Sequence, residues 1–257
     1  HQIRQMSGAH ASRILAFNVD AGALHKCDAV TGTNKSDQRR WSKVWFGFPH
    51  VGAGHKDEHR NVLANQLLIL RFLISVAPYL TEGPLPEAIQ GRKRRAASED
   101  DEDDEEPIEA ADDEPDVSAT SVPPRRQGSV LITIRNVVPY TLWNIPMLGK
   151  RLRDVLQPIA ASAPSPPKGI RAPTVSDVDK NGAQYVLWRS FEFVPSDWPG
   201  YSHRRTVGFV EGLSTSHNED LLRRPTQPPQ QGQPSGRHVG TGECRTYELA
   251  PVSYTHL

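Results

Sequence analysis

The chain has little of the material from which a large hydrophobic core or a disulfide scaffold is built. Hydrophobic residues make up 37% of its 257 residues, aromatic residues make up 7%, and there are two cysteines, Cys27 and Cys244. Two cysteines are too few for a disulfide framework, which favours a reducing compartment. A low apolar content together with 22 prolines is typical of a folded part diluted by disordered segments.

Long apolar runs are also missing. No run approaches the roughly 20 residues that a membrane-spanning helix needs, and no signal peptide is visible. We therefore expect no membrane partner. Because the sequence starts at His1 and not at Met, we expect it to be a fragment of a longer protein.

The formal net charge of zero hides a strong asymmetry. Residues 99–116 contain 13 acidic side chains, and the chain outside residues 92–126 carries 24 basic against 17 acidic residues. Like-charge runs cannot bury apolar surface, so residues 92–126 are predicted to be a disordered basic and acidic insert. Its Arg-Lys-Arg-Arg at 92–95 resembles a nuclear import signal, and the mildly basic remainder is compatible with a polyanionic partner.

Residues 43–57 organise the predicted fold. A short apolar run ends at Phe48-Pro49-His50, Gly52 and Gly54 follow in a loop, and residues 61–77 have apolar side chains at helical spacing. Pro49 cannot donate to a continuing strand ladder, so the buried strand must stop there. In open α/β sheets, a strand followed by a glycine loop and a helix places ligand-binding groups outside the carboxyl end of the strand.

The rest of the pattern predicts an α/β sheet with an antiparallel tail. Thr141 to Leu156 looks helical, and a Pro/Ser-rich loop is predicted over 160–178. Further strands are predicted over 13–20, 129–135, 185–194 and 205–210, with a last edge strand over 245–249.

Several short motifs occur in a fixed order between residues 14 and 208. They are Val-Asp-Ala at 19–21, Leu-His-Lys at 24–26, Phe-x-Phe-Pro-His-Val-Gly at 46–52, Asn-Gln at 65–66, Pro-Tyr-Thr-Leu-Trp-Asn-Ile at 139–145, and Pro-Gly-Tyr-x-His-Arg-Arg-Thr-x-Gly at 199–208. Together they resemble the Rossmann-like methyltransferase domain of the ribosomal RNA uridine-N3 methyltransferases.

The resemblance implies a fold, a reaction and a cellular place. The fold is an S-adenosylmethionine-dependent methyltransferase sheet with helices on both faces, formed by residues 1–91 and 127–250, with antiparallel C-terminal strands. Residues 251–257 do not match the family. The reaction implied is methyl transfer from S-adenosyl-L-methionine to N3 of a uridine in large-subunit ribosomal RNA. The implied partner is ribosomal RNA within a pre-ribosomal particle, in the nucleus and nucleolus.

The resemblance also implies site residues. Asp20 and Ala21 would contact the cofactor, and Phe48, Pro49 and His50 would form the catalytic pocket for the target base. Uridine N3 carries a proton at neutral pH, so a base or hydrogen-bond acceptor has to assist its removal, and the base must leave its stack to reach the pocket. Contacts to the substrate RNA would come from His203, Arg204, Arg205, Tyr140 and Trp143.

Two departures from the family pattern leave other readings open. Gly47 stands where the family usually has Asn, and the glycine-rich first strand-turn that cradles the cofactor is missing, so this chain alone should bind cofactor poorly. A non-catalytic RNA-binding or ribosome-assembly factor on the same fold is the alternative. A zinc-dependent hydrolase built on His50, His55 and His59 is a third reading, and loop histidines are the simpler explanation. Likewise, Asp20 is equally compatible with a helix cap, and Trp143 with core packing.

Overall fold

Four strands form the sheet against which the helices pack. The computed structural model of the protein describes residues 16–33, 38–52, 57–84, 126–166, 169–201, 203 and 244–252. The strands are β1 (Lys43–Gly47), β2 (Ser129–Arg135), β3 (Tyr185–Glu192) and β4 (Cys244–Pro251). Their order is β1-β2-β4-β3, with β1 parallel to β2, and β4 antiparallel to both of its neighbours.

The helices complete a mixed α/β architecture. They are α1 (Asp28–Thr31), α2 (Glu58–Val76), α3 (Ile145–Lys150), α4 (Leu152–Ser162) and α5 (Val175–Asn181), with short 3₁₀ turns at Ala21–Lys26, Ala77–Tyr79, Tyr140–Trp143 and Pro195–Asp197. A four-stranded mixed sheet flanked by helices confirms the predicted fold class, a Rossmann-like methyltransferase sheet with antiparallel C-terminal strands. The helices were expected on both faces, whereas α2, α3, α4 and α5 pack on one face within the described ranges.

Helix α2 is the central element of the core. The Asp57 carboxylate caps its first turn by accepting a hydrogen bond from the His59 N–H at 2.9 Å. Leu70 and Leu73 on this helix are fully buried. The segment Glu58–Tyr79 is long and apolar enough to cross a membrane by length and mean hydropathy, but 67% of its apolar 18-residue stretch is buried inside this fold. Its apolar surface is therefore used for packing within the molecule.

The two faces of the sheet differ in chemistry. Val130, Ile132 and Ile134 alternate along β2 and join the core beneath α2, α3, α4 and α5. We call the opposite side the open face, since within the described ranges those helices all pack on the other side. On the open face, Thr133 accepts a hydrogen bond from the Trp45 indole at 2.8 Å and pairs with Thr246 across β4.

A buried carboxylate holds the middle of the open face together. Glu248 is 0% exposed and accepts hydrogen bonds from Lys43, Ser129 and Arg189. A β-bulge between Leu187 and Arg189 brings Arg189 opposite Glu248, so the carboxylate meets a guanidinium. Burial alone raises the pKa of Glu248, but the hydrogen bonds from these three partners outweigh it and hold the pKa below its ordinary value.

Several predicted elements differ from those observed. The strand predicted over 13–20 is wrong for its described part, since residues 16–20 are exposed and form no strand. The last strand is not at an edge, because β4 lies between β2 and β3. β1 was expected to be buried, yet it occupies an edge of the sheet and Trp45 is 40% exposed. Nothing in the spacing of apolar residues identifies which strands will be neighbours, and this caused the errors in the positions of β4 and β1.

The helix predicted over 141–156 and the loop predicted after it also differ from the observed structure. The helical region is divided at Asn144 and Arg151 into a 3₁₀ turn, α3 and α4. The predicted loop over 160–178 runs into α5, which begins at Val175 and whose first turn is closed by a capping box between Thr174 and Asp177. The predicted strand 205–210, residues 92–125 of the insert, and residues 253–257 lie outside the described residues.

The packing predicts a large cost for shortening Leu70. Leu70→Ala should lower the free energy of unfolding by about 2–5 kcal/mol, because the buried cavity it leaves is lined by side chains that cannot collapse into it. Leu142→Ala is the matched control, since this leucine is exposed, and should change stability by less than about 0.5 kcal/mol. Urea unfolding followed by tryptophan fluorescence measures both, and equal effects would contradict the assignment of α2 to the core.

The Glu248 cluster predicts a loss of stability in acid. A carboxylate with a depressed folded-state pKa stabilises the fold above its unfolded pKa of about 4.3. That contribution should fall as the pH drops below this value and through the lower folded-state pKa. Glu248→Gln should cost about 1–3 kcal/mol at neutral pH and flatten the acid limb of the stability curve. An unchanged slope between pH 5 and 2 in the variant would show that the cluster does not set the acid response.

Candidate active site

The carboxyl ends of three strands meet at one edge of the sheet. Because β4 is antiparallel to both β2 and β3, the strands β1, β2 and β3 all run in the same direction. Gly47, Arg135 and Glu192 therefore end their strands at the same edge, where β4 begins at Cys244. This is the edge at which open α/β sheets bind ligands.

The Phe-Pro-His segment forms a turn at this edge, and we call residues 48–52 the edge turn. Phe48 has a positive φ of 51°, which is uncommon for a bulky residue. Its N–H still donates to the Thr133 carbonyl at 2.8 Å, and the following Pro49 is buried. Backbone of this kind costs about 1–3 kcal/mol and persists where the surroundings determine it, often at functional sites.

Aromatic side chains surround the open-face side of the edge turn. The Phe48 ring lies edge-on to Phe193 at 5.8 Å between centroids and to His203 at 4.7 Å. Trp45 stacks on Trp198 at 5.4 Å with an angle of 22° between planes. The aromatic cluster, as we call it, consists of Trp45, Phe48, Phe193, Trp198, Tyr201 and His203. Partly exposed aromatic rings of this kind offer faces on which a nucleic acid base can stack.

Burial within this cluster changes the acidity of Tyr201. Burial raises the pKa of the Tyr201 phenol to about 12, with a smaller contribution from Cys244. The phenol is therefore neutral at physiological pH, and its oxygen lies 3.2 Å from Nδ1 of His203. It can take part in hydrogen bonds at the site but cannot act as a base near neutrality.

His50 is oriented by the edge turn itself. The Gly52 N–H donates to Nδ1 of His50 at 2.8 Å, so the neutral ring carries its proton on Nε2. The ring also lies 6.1 Å from the Trp143 ring on the helical side of the sheet edge. In this tautomer the exposed imidazole presents a hydrogen-bond donor, which suits a carbonyl oxygen better than the proton on uridine N3.

Two buried polar residues of α2 hold the loops of the site. The Asn65 Oδ1 accepts from the Val51 N–H at 2.9 Å, while its Nδ2 donates to the Asn61 carbonyl and side chain. Gln66 donates to the carbonyls of Leu142 and Trp143 at 3.3 and 3.4 Å. Adjacent residues on one helix thus fix the edge turn and the turn that follows β2.

The space around Gly47 is filled by its own strand. A Cβ atom added at Gly47 would lie 3.3 Å from Cζ2 of the Trp45 indole. A longer side chain at this position would therefore require the indole to move by a few tenths of an ångström. Gly47 thus replaces the Asn that the resemblance led us to expect, and the Trp45 ring occupies the neighbouring space.

Asp20 is not brought together with the edge turn. Its carboxylate accepts from the Gly22 N–H at 2.8 Å and pairs with Arg71 of α2 at 3.0 Å. Arg71 lies six residues beyond Asn65, which is about 9 Å along the helix axis and about 120° around it. Asp20 therefore caps the 3₁₀ turn and contacts a different side of α2 from the one that holds Val51.

The remaining predicted residues are divided between surface, core and the undescribed part of the chain. Ala21 packs against the core beside Asp20, Tyr140 is half-buried, and Trp143 is fully buried, so its ring is not accessible to a base in this arrangement. His203 joins the aromatic cluster, whereas Arg204 and Arg205 lie outside the described residues. Among the residues described, no group of three or more His, Cys, Asp or Glu could hold a metal, and His55 is outside that set.

Several residues at this edge were not predicted from the sequence. Trp45 on β1 meets Phe193 and Trp198, both from the segment just after β3, beside the edge turn, and Arg135 ends β2 next to them. The only signal in the sequence was the position of each residue at or near the end of a predicted strand. The position of a residue at a strand end identifies its neighbours only once the order of the strands is known.

Comparison with known proteins identifies the family. The model of the BMT5-like family, described as rRNA (uridine-N3-)-methyltransferase, matches residues 3–205. The chain belongs to this family. The resemblance inferred from the motifs is thereby confirmed, and its methyltransferase character implies a methyl donor and an rRNA substrate for the family as a whole.

One relative has a described activity. The chain is 25% identical over 202 residues to the 25S rRNA (uridine(2634)-N(3))-methyltransferase of Saccharomyces cerevisiae. The alignment covers 74% of this chain and 47% of the yeast protein, so the chain spans about half the length of this relative. No solved structure matches the chain.

The hydrogen bonds of Asn65 to Val51 and Asn61 predict different effects for two substitutions of this residue. Asn65→Ala removes the acceptor for the Val51 N–H and should cost about 1–3 kcal/mol, because a part-buried donor loses its partner. Asn65→Asp keeps that acceptor and loses the bonds to Asn61. Amide hydrogen exchange at Val51 should therefore accelerate much more in the alanine variant. Equal protection in both variants would show that Asn65 does not hold the edge turn.

Proposed function

We propose that this BMT5-like chain contributes the target-base side of an S-adenosylmethionine-dependent enzyme that methylates N3 of a uridine in large-subunit ribosomal RNA. The proposal is supported by family membership and by the edge turn, whose Phe48, Pro49 and His50 lie at the ligand-binding edge of the sheet. An aromatic cluster beside that turn supplies ring faces for a base that has left its stack.

His50 is proposed to orient the uracil. Its Nε2–H can donate to a carbonyl oxygen of the base, while Gly52 holds the ring from the other nitrogen. Correct placement of N3 against the methyl donor accounts for most of the catalysis in an in-line methyl transfer. The buried Pro49 and the Asn65 bond to Val51 keep this donor in a fixed position.

S-adenosyl-L-methionine is the proposed cofactor, which would supply an electrophilic methyl group. A cavity lined by Asp20, Ala23, Arg71 and Asp177 lies beside the proposed contact, but no residue of the edge turn lines it. Asp20, proposed with Ala21 as its contact, is already bound by Arg71 and by the Gly22 N–H, and it is not joined to the edge turn.

The proposed partner is ribosomal RNA in a pre-ribosomal particle, and the proposed location is the nucleus and nucleolus. Both proposals are supported by the rRNA methyltransferase relative in yeast. His203, together with Arg204 and Arg205 beyond it in the chain, is proposed to contact RNA beside the aromatic cluster. Tyr140 is proposed to contribute from the turn after β2.

A non-catalytic RNA-binding factor is the second candidate. The observation that favours it is Gly47, which provides no polar side chain at the mouth of the site, the adjoining space being occupied by the Trp45 ring. This candidate retains the aromatic cluster and the RNA partner but predicts no methyl transfer. The two candidates therefore differ in the product formed and not in the RNA bound.

A methyl-transfer assay separates the two candidates. The full-length protein, S-adenosylmethionine and unmodified large-subunit ribosomal RNA should yield N3-methyluridine, detected by mass spectrometry of nucleosides. His50→Ala should reduce the rate by about 10²-fold, the loss expected when an oriented hydrogen bond to the reacting base is removed. His59→Ala is the matched control, since this histidine is exposed in the first turn of α2 and has no role in either candidate function. RNA binding without any methylated product would support the non-catalytic factor.

A further inference from the structure

Arg135 is a basic residue at the candidate active site to which neither the family motifs nor the proposed function assigns a role. It is the last residue of β2 and lies opposite Cys244 in the register with β4. Cys244 packs with Phe48, Phe193 and Tyr201. On its other side, β1 is parallel to β2, and Phe48 N–H donates to the Thr133 carbonyl two residues before Arg135.

The direction of the Arg135 side chain follows from the alternation along β2. Ile132 and Ile134 pack into the core beneath the helices, so Thr133 and Arg135 belong to the open face. Thr133 bonds the Trp45 indole there, and Trp45 contacts Phe193, Trp198 and Tyr201. Arg135 therefore emerges on the same side of the sheet edge as the aromatic cluster.

The guanidinium has no counter-charge in the part of the chain that the structure describes. Its Nε atom is buried without a hydrogen-bond partner there, and none of the ion pairs among the described residues includes Arg135. Burying a donor of a charged group without a partner is costly. A ligand that brings an anionic oxygen to this position would remove that cost.

We propose that Arg135 is a catalytic residue that donates a hydrogen bond to a carbonyl oxygen of the target uracil and stabilises the N3 anion. This inference rests on the proposed function. A guanidinium stays protonated throughout the physiological range and presents several donors in one plane, which matches the planar anion of a deprotonated uracil. An RNA phosphate offers similar oxygens, but the aromatic rings beside Arg135 favour a flat base at this position.

The ionisation of uridine N3 needs no protein base, because water accepts the proton. The N3–H bond of uridine breaks and its proton passes to water, leaving a negative charge shared by N3 and the two carbonyl oxygens. Arg135 stabilises this charge at an oxygen, which raises the fraction of ionised base. The ionised N3 is then a nucleophile for methylation, and a sulfonium methyl donor, when bound, would supply the electrophilic carbon.

Ionisation of a bound base tests the proposal without a methyl donor. The probe is a short cytidine-rich RNA that contains a single 5-fluorouridine, whose N3 ionisation is followed by fluorine NMR as the pH is raised. Binding to the protein should lower the N3 pKa of the probe by at least about one unit, the effect of one hydrogen bond from a charged donor. Arg135→Gln should abolish this shift, and Arg135→Lys should restore part of it.

Arg153→Gln serves as the matched control, because this exposed arginine on α4 pairs with Asp179 away from the site. It should leave the pKa shift of the bound probe unchanged. Near-ultraviolet circular dichroism shows whether each variant keeps its tryptophan packing, and Arg135→Lys keeps the charge if the glutamine variant unfolds. A lysine variant that binds the probe with no pKa shift would argue against charge stabilisation by this position.

The outcomes distinguish this inference from the proposed function. A bound probe whose N3 pKa equals that of the free RNA, or a shift that survives Arg135→Gln, overturns the role of Arg135 and leaves the methyltransferase proposal intact. Weaker binding in Arg135→Gln with an unchanged bound pKa also overturns it and identifies a phosphate contact. Failure of the wild-type protein to bind any fluorouridine RNA counts against RNA recognition itself, and both proposals fail.

Discussion

The parallel pairing of β1 with β2 is the constraint on which the rest of the site depends. Gly47 lies beside Thr133 in this register, so both strands reach the same edge of the sheet together. The chain must turn there, because Pro49 has no N–H to continue the ladder. A register shifted by one residue would move Trp45 to the helical face and separate Phe48 from Thr133.

Helix α2 converts this strand pairing into a fixed site. Most of its surface is apolar and buried, yet Asn65 and Gln66 are buried polar residues in the middle of it. Both are satisfied by backbone groups of the two turns at the sheet edge. Since an unpaired buried amide costs about 1–3 kcal/mol, alternative positions of these turns are disfavoured. The same helix that supplies the core therefore also sets the geometry of the site.

The charges of the open face have two different uses. Glu248 meets Lys43 and Arg189 in the centre of the sheet, where its hydrogen bonds offset the burial of a carboxylate. Arg135 lies at the end of the same face without such a partner among the described residues. The Glu248 cluster, in which each charge has a partner, stabilises the fold. Arg135, which has no such partner among the described residues, is suited to bind an anionic group at the ligand-binding edge.

The predictions that were confirmed depend on local pattern. β2 and α2 were predicted within three residues of their observed ends, because an uninterrupted apolar run and helical spacing each have one simple interpretation. The edge turn was predicted from Pro49 and the glycines after it. The predictions that were wrong about the sheet, such as an edge position for β4, concern which strands lie next to each other. The chain between β3 and β4 is long, and its apolar spacing carries no information about where the last strand returns.

The amino-acid sequence by itself determined the family, the α/β class, and the place where the chain must turn at the end of β1, since motif order and proline chemistry are local properties. Only the tertiary structure decided that Trp45, Phe193 and Arg135 meet beside Phe48, and that Asp20 pairs with Arg71 on another side of α2. These arrangements follow from strand order and register, which arise when separate segments compete to bury the same apolar surface.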